Sequence, residues 1–226
     1  NNQIIFEYKT RKHSYVIDSI STFLELKTVD FDYDGCMKAC KDYCSNYNKR
    51  YCCPPNSPSL GKLSKDYQYI FVHALKITHT TLKPTLGSIR VINELAKRLQ
   101  NRFFECTCLE FKDSNYKTLV LDNGACRLCK VCGYETGEPC RYPDKINFPL
   151  ESTGIDVNYL MIKAFNLPIQ WYVKDKAFPD YQTCTAAILT NDPKKVMAVI
   201  NNKVLEFTHI DKRAELLTSH QRLQFG

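Results

Sequence analysis

Tyr67-Gln-Tyr-Ile-Phe-Val-His-Ala-Leu-Lys-Ile77 is the stretch on which the fold turns. Its aromatic and β-branched content is that of a central strand buried on both faces. Working outward, residues 3–9 and 14–17 read as short strands, and residues 18–26 as a short helix with Ile20, Phe23 and Leu24 on one face. Downstream, Leu86, Ile89, Ile92, Leu95, Leu99 and Phe103 recur at helical spacing over 86–103. A strand is expected at 116–121, ending on the turn Asp122-Asn123-Gly124. A helix at 155–166, strands at 169–174 and 183–190, and a helix at 193–200 follow. The charged stretch 211–223 reads as helical, making 200–226 a candidate C-terminal arm for packing or dimerisation. The expected class is α+β: one domain over 1–226, a mixed sheet with flanking helices, and cysteine-rich metal-binding loops at 36–60 and 122–150.

Those loops carry the chemistry. Twelve cysteines in 226 residues is far above average usage, and the chain is longer than most disulfide scaffolds. Cys126-Arg-Leu-Cys129-Lys-Val-Cys132, with Cys140 further on, places three thiols two residues apart and a fourth at a distance. One tight turn can wrap a cubane iron–sulfur cluster this way, as in the C-x2-C-x2-C pattern of bacterial ferredoxins. There the remote cysteine is followed by proline; here Cys140 precedes Arg141-Tyr142-Pro143. Zinc also takes C-x2-C pairs, but seldom a third thiol two residues on. The cofactor expected is therefore an iron–sulfur cluster of the 4Fe-4S type, one or two per chain, with zinc as the alternative.

Upstream, Cys36, Cys40 and Cys44 fall at i, i+4 and i+8, one face of a helix. Cys52-Cys53-Pro54-Pro55 follows, where two prolines stiffen the chain behind a thiol. Cys40, Cys44 and Cys53 read as a separate metal site, with Cys36 or Cys52 as the fourth ligand. A helix with buried structural cysteines is the competing reading. A radical enzyme using S-adenosylmethionine would need C-x3-C-x2-C, and the first group is one residue too long.

Cys44-Ser-Asn-Tyr47, Cys53-Pro-Pro-Asn-Ser-Pro58, Gly124-Ala-Cys-Arg-Leu-Cys129-Lys-Val-Cys132, Gly137-Glu-Pro-Cys-Arg141-Tyr-Pro143 and Gly154-Ile-Asp-Val157 together resemble one family. It is a domain-of-unknown-function family catalogued as "predicted metal-binding protein", mostly from anaerobic bacteria and archaea, and the resemblance covers roughly residues 36–190. It implies metal ligation by Cys40, Cys44 and Cys53 and by Cys126, Cys129, Cys132 and Cys140. Cys36, Cys52, Cys106, Cys108 and Cys184 look like extras. It implies nothing about a reaction.

Other features narrow the function. The formal charge of +7 falls to roughly +3 if two clusters each bring about −2, so the basic balance argues for no nucleic acid partner. Basic residues are also spread along the chain. No apolar run approaches the roughly 20 residues that span a bilayer, and no signal-peptide pattern is read at Asn1-Asn2-Gln3. A cytoplasmic protein without membrane association is expected. No phosphate-binding glycine loop and no G-x-S-x-G elbow occurs. His73, inside the apolar strand, reads as a hydrogen-bonded core residue. Trp171 and Tyr172 read as core or as a lid over a cluster. Three functions compete: a redox or electron-transfer protein with a redox partner protein, an iron–sulfur enzyme whose open iron serves a small-molecule substrate in desulfuration or sulfur transfer, and a zinc-stabilised structural or interaction protein.

Overall fold

The computed structural model describes residues 2–11, 13–79, 85–105, 117–173 and 176–217. It is α+β, built on a seven-stranded mixed sheet. The strands are β1 (Asn2–Lys9), β2 (Ser14–Glu25), β3 (Tyr69–His79), β4 (Thr118–Asp122), β5 (Phe148–Pro149), β6 (Tyr181–Thr190) and β7 (Ala214–Leu216). Their order is β5-β4-β6-β3-β2-β1-β7; among the described residues only β4 and β5 pair in parallel. The helices are α1 (Tyr33–Tyr43), α2 (Leu60–Leu63), α3 (Leu86–Glu105), α4 (Gly133–Thr136), α5 (Val157–Phe165) and α6 (Pro193–Ile210).

β3 is the central strand that its sequence predicts. Alternate side chains pass to opposite faces of a strand. Phe71, Leu75 and Ile77 join the core under α3 and α6, with Ile92, Leu99, Phe103, Val196, Val204 and Phe207. Ile70 and Val72 point to the other face and meet Leu26, Val29, Leu60, Leu121, Leu150, Ile155 and Leu160. The segments flanking both cysteine groups are thus anchored on this second face. His73 is fully buried; its Nε2 lies 2.8 Å from Ser19 Oγ and its Nδ1 3.1 Å from Gln100 Oε1, the core role its position suggests.

Three expectations are corrected. Residues 18–25 are not a helix: β2 runs unbroken to Glu25 and pairs with β3 from Tyr15↔His79 to Glu25↔Tyr69. Ile20, Phe23 and Leu24 do fall at helical spacing, but Val16, Ile17, Ile20 and Thr22 are β-branched and two serines break helix preference. No strand forms over 169–173. Behind Pro168, Gln170 Oε1 accepts the Asp180 N–H at 2.6 Å and Tyr172 stacks on Phe178, while Trp171 is 69 % exposed and is not core. In the expected helical arm, α6 reaches Ile210, well past residue 200, and Ala214–Leu216 then pairs as an edge strand with β1. Residues 218–226 of that arm lie outside the described residues.

Among the described residues no helix is long and apolar enough to cross a membrane.

Candidate metal centre

The first cysteine group rides on α1. Asp32 caps the helix, its Oδ1 accepting the Gly35 N–H at 2.9 Å, and the Asp32 N–H donates to Gly154 O at 2.8 Å. Cys36 and Cys40 lie within α1 and Cys44 is its C-cap. Not one α1 residue is buried. Eleven residues are too few for a stable isolated helix, so packing of an apolar face does not explain why α1 holds. Partial burial, short of the core, pushes the half-covered Cys36 thiol up to about 11, with the Asp32 carboxylate and Cys40 adding to it, and it also raises Cys40. Cys53 is buried and lies within electrostatic reach of Cys44 and Cys40. The structure therefore gathers Cys36, Cys40, Cys44 and Cys53 in one neighbourhood.

The second group forms the wall of a cleft. Cys126, Cys129, Cys132 and Cys140 line it together with Arg50, Tyr51, Cys52, Leu128, Gly133, Arg141, Tyr142 and Ile146; the free space, mouth included, is about 360 Å³. The chain turns sharply after Cys132 because α4 is one turn long and closes on Gly137 in the left-handed region, φ 73°. Gly133 allows the return: a Cβ there would stand 2.6 Å from Pro139 O and 2.8 Å from Glu138 O. That close approach brings Cys140 back to the cleft.

The two groups meet. Cys52 and Cys53 are neighbours in sequence, 1 % and 5 % exposed, with Sγ atoms 3.7 Å apart. Cys52 faces the second cleft, where its Sγ accepts the Cys126 N–H at 3.2 Å, while Cys53 faces the first group. Within the pair the Cys52 thiol is lowered, mainly by its contact with Cys53, and Cys53 is raised by the same contact. The Cys52 sulfur thus lines the second cleft and also lies beside the Cys53 sulfur of the first group. Spacing cannot distinguish adjacent cysteines; only the folded loop separates them.

Further bonds stitch the loops. Arg50 Nη1 donates to Cys126 O at 3.0 Å, the Tyr51 hydroxyl to Glu138 O at 2.8 Å, and the Tyr134 hydroxyl to Asn48 Oδ1 at 2.5 Å; the Tyr51 and Tyr134 rings meet edge to face. On the first side, the Tyr33 hydroxyl donates to Ser57 O at 2.7 Å and Ser57 Oγ to Ser152 O at 2.6 Å.

The donor set fits a soft, anion-tolerant metal group. All ten described cysteines are free thiols. Burial raises the Cys126 thiol, and the N–H groups of Leu128 and Asn147, which its sulfur accepts, counter that only in part. Arg50, which lines the cleft, has its Nε buried with no hydrogen-bond partner among the described residues. Among the described residues no three Cys, His, Asp or Glu side chains converge tightly enough for a single ion. Cys184 is apart from both groups, buried in β6 with its thiol pushed up to about 12, and is a packing residue. Cys106 and Cys108 lie outside the described residues.

A family profile described as "Predicted metal-binding protein (DUF2284)" matches residues 22–190. The chain belongs to that family, and the matched residues take in both cysteine groups and the strands β3, β4 and β6. No curated protein and no solved structure matches it.

Proposed function

We propose that the chain is a two-centre iron–sulfur protein with an electron-transfer role. The observation that carries this reading is the juxtaposition of two thiol sets, four in each, around the Cys52-Cys53 dipeptide. Cys126, Cys129, Cys132 and Cys140 would hold one 4Fe-4S cluster. Cys40, Cys44 and Cys53, with Cys36 one helical turn earlier, would hold the other. A cluster with four thiolate ligands supplies reversible one-electron storage. The residues around the cleft serve that chemistry. Arg50 offers positive charge to an anionic group, backbone N–H groups of Leu128 and Asn147 donate to the Cys126 sulfur, and Tyr51 and Tyr142 narrow solvent access. Hydrogen bonds to sulfur and exposure are the protein's means of setting a cluster potential.

The test is anaerobic purification followed by iron, zinc and acid-labile sulfide assays and electron paramagnetic resonance of the dithionite-reduced protein. Iron and sulfide in equal amounts, enough for two cubanes, with a reduced-cluster spectrum, is the expected result. Zinc without sulfide would replace this reading with a zinc-stabilised fold.

A further inference from the structure

The second cysteine loop leaves the sheet at Asp122, the last residue of β4, and returns at β5, where Pro149 pairs with Asp122. The main chain joins these two ends through the Leu150 N–H, which donates to Asp122 O at 3.1 Å. The Asp122 side chain joins them a second time. Its carboxylate is half-buried and lies within electrostatic reach of Arg127 and of Lys97 on α3. A carboxylate drawn out of water needs partners. Oδ1 accepts the Asn123 N–H at 2.7 Å, and the carboxylate also accepts the side-chain amide of Asn147. The bond to Asn123 is what any turn at a strand end could make. The bond to Asn147 reaches across to the far end of the loop, and the Asn147 backbone N–H donates in turn to the sulfur of Cys126.

We infer that Asp122 is a positioning residue for the second centre: its carboxylate holds the Asn147 side chain and so keeps the Asn147 N–H on the Cys126 sulfur. The inference rests on the two-centre reading above. A backbone N–H on a ligand sulfur stabilises the extra electron of a reduced cluster and raises its potential, as long as that stretch of backbone is held in place. Before β5 the returning chain has only one 3-10 turn, Pro143–Lys145, so neither a helix nor a strand ladder fixes the Asn147 amide. Asp122 fixes it from β4, which is paired with β6 inside the sheet. The carboxylate thus carries the rigidity of the sheet to one hydrogen bond at a cluster ligand.

The experiment uses Asn147→Ala, Asp122→Ala, the double variant and Asp122→Asn in the anaerobically purified protein, with wild type as reference. Wild-type iron and sulfide content tests the two-centre reading by itself, and exchange of the residue 147 amide can be followed whichever metal the thiols hold. Asn147→Ala leaves the carboxylate and the residue 147 N–H in place, so iron and sulfide should stay at the wild-type level. Its second centre should become about threefold harder to reduce, a fall of about 28 mV at about 59 mV per tenfold step, with the first centre unchanged. The residue 147 amide should exchange about tenfold faster in Asn147→Ala and in Asp122→Ala, and no faster than that in the double variant, the mark of two residues acting through one contact. Asp122→Asn, which keeps an accepting oxygen, should restore most of the protection. Should Asp122→Ala not fold, the potential of Asn147→Ala decides. An unchanged second-centre potential in Asn147→Ala at full iron would overturn the inference. So would exchange effects that add in the double variant.

Discussion

Replacing Gly154 by alanine is expected to release α1 and empty the first centre while sparing the second. Gly154 is buried with φ 94° and ψ 11°, a region costly to a residue with a Cβ. Left-handed backbone costs alanine about 1–2 kcal/mol. The added methyl would also stand 2.8 Å from the Cα of Tyr33 and 3.0 Å from its nitrogen. Carbon atoms in contact prefer about 3.5–4.0 Å, so the overlap is most of an ångström. Both near atoms are backbone at the first residue of α1, and no side-chain rotation relieves them. Overpacking of this kind costs about 1–3 kcal/mol, and the two effects together about 2–5 kcal/mol. Relief comes most cheaply by undocking α1, because none of its residues is buried. The bond from the Asp32 N–H to Gly154 O then goes too. The assay is iron and sulfide content with hydrogen exchange of residues 33–44 in Gly154→Ala. Gly124→Ala is the control, since a Cβ there meets nothing within 4 Å. Loss of about half the iron and early exchange of α1 is the expected outcome, with β3 and β6 protected as before. Full iron and wild-type protection of α1 in Gly154→Ala would refute the argument that this contact seats the helix.

Other outcomes follow from the same geometry. Cys129→Ser should cost the second centre its iron and its share of the thiolate–iron absorbance, and retention of all iron and sulfide would remove Cys129 from the ligand set. Arg50→Met removes a cation from the cleft and the bond to Cys126 O, so reduction of the second centre should become harder by roughly 60 mV, one tenfold step; a redox titration showing no shift would contradict the role given to Arg50. His73 titrates near 6.5 when unfolded, and burial lowers it to about 4 in the fold. Between those values the unfolded chain binds the extra proton, so stability falls as pH drops from 6.5 to 4, by at most about 3 kcal/mol. Denaturant titrations of wild type and His73→Gln at equal iron loading should converge in that window, and parallel curves would count against it. Oxidation or chelation should raise hydrogen exchange in 36–60 and 122–150 before the sheet opens; equal protection with and without metal would mean the metal does not order these loops.

The elements legible in the sequence are those whose signal is local. β3 announces itself through eleven residues with no helical alternative, and α3 through six apolar positions on one face. The turn at 126–140 is legible because cysteine spacing and Gly124 are local facts. β2 is misread beyond residue 17 because three apolar residues match helical spacing, and the pairing with β3 that decides the matter lies some fifty residues away. β7 is too short to carry a pattern, and only its partner β1 makes it a strand. The placing of the Cys52 sulfur is the clearest case of information absent from spacing. Its neighbour is chemically identical, and the direction each sulfur takes is fixed by bonds to residues 126 and 138 made after folding.

The fold also explains why two cysteine groups so far apart in sequence act at one place. The core under α3 and α6 is closed by long amphipathic helices and needs nothing from the cysteine loops. The opposite face is covered differently. Leu26, Val29 and Leu60 bracket the first group and Leu121, Leu150 and Ile155 bracket the second, all in one apolar cluster on that face. These anchors fix where each loop leaves and returns but not the path between. Hydrogen bonds from Arg50, Tyr51 and Tyr134 join the paths, each worth about 1 kcal/mol net. Ordering a residue's backbone costs about as much or more, and each loop has well over a dozen to order. The deficit is met by ligation, whose binding free energy becomes folding free energy. On this account the thiols are also the last fastening of the face that carries them, and α1, with no buried residue of its own, is where that dependence is greatest.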